Sequence, residues 1–247
     1  MDRVRSRLKA LRPGQSLVEF TLLLPILLMM LSGLIEFGFM LNSYLDVIDA
    51  SREAARFAAN DDPTIGDPAA MTPSFWNRAW QSARGSLATA SDGRINWNST
   101  DPFDCTGVNG DIVVSAFPLL GNTVDPGGRY PLGYGDAGAA NCAIFGTSTY
   151  TSKLTTLQVN DILSGSAIPN SGFVLVEIYY EYEWLLGLPW ITPFFRDTEI
   201  PEAIQPDGIG DDDGKCELGE EASCQPPIVL YAYTIMPNTY VEPTPIP

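Results

Sequence analysis

Glu19 and Glu36 are two carboxylates in an unusual setting. They open and interrupt an apolar run, FTLLLPILLMMLSGLIEFGFML, that extends from Phe20 to Leu41. On insertion scales a carboxylate at the centre of a membrane helix costs about 2.5–3.5 kcal/mol, and less near an interface, so each needs a partner or a purpose. The two are 17 residues apart in the sequence, which is about 26 Å along a helix. That spacing puts Glu19 at one edge of a bilayer and Glu36 near the opposite headgroups. For Glu36 two readings stand side by side: a carboxylate reaching up to water, and a role in contacts between helices.

A second acidic feature lies far downstream, in DGIGDDDGKCELGEE at residues 207–221. With Gly214 aligned to the glycine of an EF-hand loop, Asp211 and Asp213 take ligand positions 3 and 5 and Glu220 takes position 12. Ile209 then falls where the first aspartate belongs. The incomplete motif favours a solvated acidic loop over a Ca2+ site, with Asp211, Asp213 and Glu220 as the metal ligands if calcium binds. No other cofactor is suggested.

The chain has no histidine. Ser-His-Asp and Cys-His catalysis, histidine-bearing zinc sites and imidazole acid-base chemistry are therefore excluded. A carboxylate pair could still hydrolyse a glycoside, but no pair stands out, and the expectation is that this protein is not an enzyme. Its formal net charge is -16, and loss of residues 1–14, which carry five basic side chains and one acidic, would take it to -20. Such a surface repels the phosphates of nucleic acid.

The elements that position these groups follow from the apolar run. Its 22 residues cover about 33 Å as a helix, enough for a hydrocarbon core of about 30 Å. Arg3, Arg5, Arg7, Lys9 and Arg12 precede it and Asn42, Asp46 and Asp49 follow, so the positive-inside rule assigns residues 1–14 to the cytoplasm and the bulk of the chain to the outside. The run is too long for the apolar region of an ordinary secretory signal, and no polar mature sequence follows its one small-residue exit near Ser32-Gly33-Leu34. Pro25 favours a kink.

Beyond the span, Tyr44, Val47, Ile48, Ser51, Ala55 and Ala58 recur at three- and four-residue steps, so one helix is expected from Ser16 to Ala59, closed by Asn60-Asp61-Asp62-Pro63. The row Ala50, Ala54 and Ala58 permits close approach of another backbone, and its own domain is the favoured partner. A second helix is expected over 74–89 and strands over 111–117, 172–186 and 228–236, with a Gly/Pro-rich insertion at 118–142. In the strand 172–186, Val174, Val176, Ile178, Tyr180, Tyr182 and Trp184 share the face turned to the long helix, and Leu175, Glu177, Tyr179, Glu181 and Glu183 share the other. Alternating tyrosines are more often core and cross-strand pairs than a ligand platform. The fold class is α+β: a long N-terminal helix, and an extracytoplasmic domain with a small antiparallel sheet on it. The divisions are 1–14 (basic leader), 15–59 (helix), 60–236 (domain) and 237–247 (Pro-rich tail). All four cysteines, Cys105, Cys142, Cys216 and Cys224, fall on the outer side, where disulfides persist. Of the three pairings, Cys216 with Cys224 and Cys105 with Cys142 is favoured, the first because its loop is short.

Residues 14–59, GQSLVEFTLLLPILLMMLSGLIEFGFMLNSYLDVIDASREAARFAA, resemble the N-terminal domain of the TadE-like family, pseudopilins of the tight adherence (Tad, or Flp-type) pilus machinery. The resemblance rests on Gly14, Glu19 followed by Phe20, Pro25, the block Gly33 to Gly38 and the block Ser51 to Ala59. Ala54 stands where the family usually has glycine, and Phe20 replaces the tyrosine commoner in Flp pilins.

The resemblance implies a single-pass protein of the cytoplasmic membrane, cut by a prepilin peptidase between Gly14 and Gln15. Glu19 and Phe20 would belong to the recognition sequence, and Glu19 and Glu36 to assembly. Its partners would be the membrane, the prepilin peptidase, other pseudopilins or the pilin, and the Tad secretion platform. The competing reading is a membrane-anchored extracytoplasmic binding module, with the acidic loop as a calcium site.

Overall fold

The computed structural model describes residues 15–64, 66–69, 74–90, 97, 101, 103–106, 108–125, 128–146, 148–163, 172–186, 228–238 and 240. The chain divides into two compact units, Met1–Phe39 with Trp184–Thr198, and Met40–Glu183 with Glu199–Pro247.

In the first unit the described residues are the front of helix α1, Gln15–Ala58, and the turn 184–186. By length and composition α1 is able to cross a membrane. Its leucines, methionines and phenylalanines between Leu17 and Leu41 are largely exposed, as a helix facing lipid requires. The two hydroxyl side chains in this stretch turn back on their own backbone. Thr21 Oγ1 donates to the Leu17 carbonyl (2.8 Å) and Ser32 Oγ to that of Met29 (2.9 Å), which spares a hydroxyl from lying unpaired in hydrocarbon. Pro25 sits inside the helix.

The second unit is a four-stranded antiparallel sheet with order β4-β1-β5-β6. The strands are β1 (Gly110–Phe117), β4 (Ala139–Ala140), β5 (Gly172–Tyr182) and β6 (Ile228–Asn238). A two-residue hairpin, β2 (Leu119–Leu120) with β3 (Thr123–Val124), lies apart from it. Among the described residues the unit also holds the rear of α1 and helices α2 (Phe75–Ala90), α3 (Asn141–Ile144) and α4 (Thr156–Leu163). The α1 limits agree with the expected helix to within one residue at each end, and α2 agrees equally well.

The register fixes which faces meet. Val176 pairs with Thr234 across β5 and β6, and Thr234 Oγ1 lies 2.8 Å from Ser51 Oγ of α1. The face of Val174, Val176, Ile178, Tyr180 and Tyr182 is therefore the one turned to the rear of α1, as its apolar character requires. Ala50, Ala54 and Ala58 are fully buried, so the small-residue row serves the protein's own core.

Two expectations need correction. The strand expected over 172–186 ends at Tyr182, and residues 184–186 belong to the first unit. The stretch 118–142 is more than an insertion, because Ala139 and Ala140 add an edge strand to β1 through Val113 and Val114. With α3 and the segment 148–155, that stretch helps cover the second face of the sheet. Consequently Leu175, Glu177 and Tyr179 are as buried as the face opposite.

Candidate functional site

Glu36 is the site residue for which the structure supplies the most geometry. It is only 2% exposed on a helix whose neighbours are bare. The N–H of Leu185 donates to Glu36 Oε1 and that of Leu186 to Oε2, both at 2.9 Å. Neither reading from the sequence anticipated this, since the carboxylate holds backbone 149 residues away in the same chain. Two charge-assisted bonds to free amides offset the desolvation of a carboxylate that would otherwise be costly.

Glu19 stands four residues after Gln15, the first residue of α1, on exposed helix beside Phe20. Gly14 lies outside the described residues, as do Asp211, Asp213, Glu220, Cys216 and Cys224. Among the described residues no group of three or more acidic or cysteine side chains is arranged to hold a metal ion. Gly33 and Gly38 have open space where a Cβ would stand, so nothing described in this chain demands glycine at either position.

In the second unit the buried charges are structural. Asp111 is fully buried. Its Oδ1 accepts from the N–H of Ile112 (2.7 Å) and Cys142 (2.8 Å), and its Oδ2 from that of Ala143 (2.9 Å). Burial pushes its carboxyl up to about 6, against the opposing pull of these hydrogen bonds. Arg84 lies beside the disulfide between Cys105 and Cys142, whose Cα atoms are 5.7 Å apart. Its guanidinium donates to the carbonyls of Asp101 (2.9 Å) and Asp104 (2.6 Å), to Asn141 Oδ1 (2.6 Å), and to the sulfurs of Cys105 (3.1 Å) and Cys142 (3.4 Å). This is one of the two pairings favoured from the sequence.

Glu177, also fully buried, accepts from the Ser152 hydroxyl, the Lys153 N–H (3.0 Å) and the Tyr231 hydroxyl (2.7 Å). Tyr179 stacks on Tyr150 with ring centroids 4.8 Å apart, meets Tyr231 at 5.0 Å, and donates to the Thr151 carbonyl at 2.7 Å. Tyr150, Tyr179 and Tyr231 thus pack on one another, and each hydroxyl has an acceptor. Sequence reasoning missed Arg84, Asp111 and Glu177 as buried charges. A signal existed for Arg84 alone, since it follows Trp76 and Trp80 at four-residue steps on the stripe that α2 buries.

Residues 14–56 match the family model described as TadE-like protein. The match takes in the residue before α1, the whole apolar run and most of the alanine row, and stops ahead of the sheet. No curated protein and no solved structure matches the chain. The N-terminal segment is thus TadE-like, with an apolar helix of membrane-spanning length.

Proposed function

We propose that this chain, TadE-like over residues 14–56, is a membrane-anchored pseudopilin that takes part in assembling a Tad-type pilus or a related secretion apparatus. The observation that carries the reading is the coincidence of that match with α1. One uninterrupted helix begins just after Gly14, exposes apolar side chains over the length of a bilayer, and then continues as the buried spine of a folded domain.

In this reading the leader is cut after Gly14 by a prepilin peptidase. Cleavage leaves an ammonium at Gln15, about one helical turn from Glu19. In the bilayer an unpaired carboxylate and an unpaired ammonium are each costly, so pairing Glu19 of one subunit with the N-terminus of another lowers both costs and sets the register between them. The orientation has residues 1–14 in the cytoplasm and the sheet outside, consistent with a disulfide in an oxidising compartment. The deciding experiment is N-terminal sequencing of the protein from its native membrane, together with deletion of the gene. Mature protein starting at Gln15 and loss of the pilus are expected, and unchanged piliation in the deletion strain would refute the assembly role.

A further inference from the structure

We infer that the turn at residues 184–186 is a second membrane contact, seated in the outer leaflet beside α1, and that Glu36 makes this possible by holding the backbone amides of the turn. The inference rests on the reading of α1 as membrane-spanning and adds a separate point of contact to it.

Leu185 and Leu186 follow directly on Trp184 and are 58% and 41% exposed, in a position where a water-facing turn would carry polar residues. They belong to the same compact unit as the front of α1. Their amides are fixed to Glu36, and the α1 residues around Glu36, namely Leu34, Ile35, Phe37 and Leu41, are also exposed and apolar. The bare apolar surface of the turn therefore continues the belt of the helix, and the occupant that covers the belt covers the turn. The sequence extends this character. From Trp184 to Phe195 there is no charged residue, whereas Glu181 and Glu183 precede that stretch and Arg196 and Asp197 follow it. Tryptophan at such a border suits the headgroup level of a bilayer.

Irregular backbone enters lipid only when its amides find acceptors inside the protein, because each unsatisfied group costs several kcal/mol there. Leu185 and Leu186 meet that condition through one carboxylate with two oxygens. The same bonds answer for Glu36, which sits at the outer end of an apolar helix and is shielded from its surroundings.

The test uses the full chain reconstituted in phosphatidylethanolamine/phosphatidylglycerol vesicles, with a nitroxide on Leu186→Cys. Leu27→Cys in mid-helix and Leu157→Cys, which is 76% exposed in the second unit, serve as lipid and water references. The unsubstituted chain carried through the same labelling sets the background. The relative accessibility of each label to oxygen and to a water-soluble nickel chelate reports its depth. The Leu186 label is expected to be shielded from nickel relative to Leu157, at a depth shallower than Leu27, and Glu36→Ala is expected to shift it to the Leu157 value while Leu27 stays unchanged. A Leu186 label as open to nickel as Leu157, with Leu27 still protected, would overturn the second contact. A Leu186 depth indifferent to Glu36→Ala would overturn the part assigned to Glu36. Nickel access at Leu27 would instead overturn the membrane reading of α1 on which the inference stands.

Discussion

Asn238, the last residue of β6, donates through Nδ2 to the carbonyl of Ala58, the last residue of α1, at 2.8 Å, and to that of Asp61 at 2.9 Å. A helix ends with carbonyls that have no partner within it, and here the closing strand of the sheet supplies one. With Asn60 Nδ2 on the Arg56 carbonyl at 2.8 Å, the end of the long helix is tied off where the sheet is closed. Asn238→Leu removes this donor from the Ala58 carbonyl, which keeps the Asp61 N–H at 3.3 Å, and from the part-buried Asp61 carbonyl. The variant is expected to lose about 1–3 kcal/mol of stability, read as a lower midpoint in denaturant for the full chain in detergent. An unchanged midpoint would mean the amide does not hold the helix end.

Processing is predicted to depend on Gly14. A peptidase that accepts only a residue without a side chain at the scissile position will leave Gly14→Val at full length in the membrane, while the wild type loses residues 1–14. Intact mass spectrometry separates the two forms, and a Gly14→Val protein with the wild-type mature N-terminus would refute the leader assignment.

Glu19→Ala is expected to insert and be cleaved like the wild type, because the apolar helix, Phe20 and the scissile Gly14–Gln15 bond are kept and Glu19 is the one recognition residue changed. It is expected to fail in piliation and in crosslinking to neighbouring subunits, because the new N-terminus has lost its counter-charge. Normal crosslinking would show that no pair forms there.

Asp111 gives a pH dependence whose sign follows from its burial. Its folded value of about 6 lies above the ordinary value of 3.8, so the folded state favours the neutral acid. Stability from this group is fully present below about pH 4 and is lost as pH rises through 6, a change on the order of 3 kcal/mol. Relative to Asp111→Asn, which does not titrate, the wild type is expected to lose stability from pH 4 to 6 and then level off. A difference that grew with pH would mean that the amides of α3 and Ile112 stabilise the charged form more than burial penalises it.

The bond between Cys105 and Cys142 closes a separation of 37 residues. By the chain-entropy relation its removal is expected to cost about 4 kcal/mol, measured as the fall in unfolding midpoint of the Cys105→Ser, Cys142→Ser double variant. A loss below about 1 kcal/mol would show that Arg84 and Asp111 hold α3 without it.

The long helix was legible because its signals are local. Apolar length, the spacing of Val47, Ser51, Ala54 and Ala58, and the stop at Asn60 to Pro63 act over one or two turns of chain, and they determine a helix whatever follows. The parity of β5 was legible for the same reason, since Val174, Val176 and Ile178 must share a face. What the second face would meet was not legible. Glu177 reads as a surface charge until Ser152, Lys153 and Tyr231 are brought to it, and Ala139-Ala140 reads as loop until β1 offers a free edge. Arg84 and Asp111 find their partners up to 58 and 32 residues away, and Glu36 finds its amides 149 and 150 residues on. A buried charge is tolerated only where its partners are, and partners so distant in sequence leave no periodicity behind. Sequence alone therefore determined the long apolar helix, and the tertiary structure decided which charges the fold could bury.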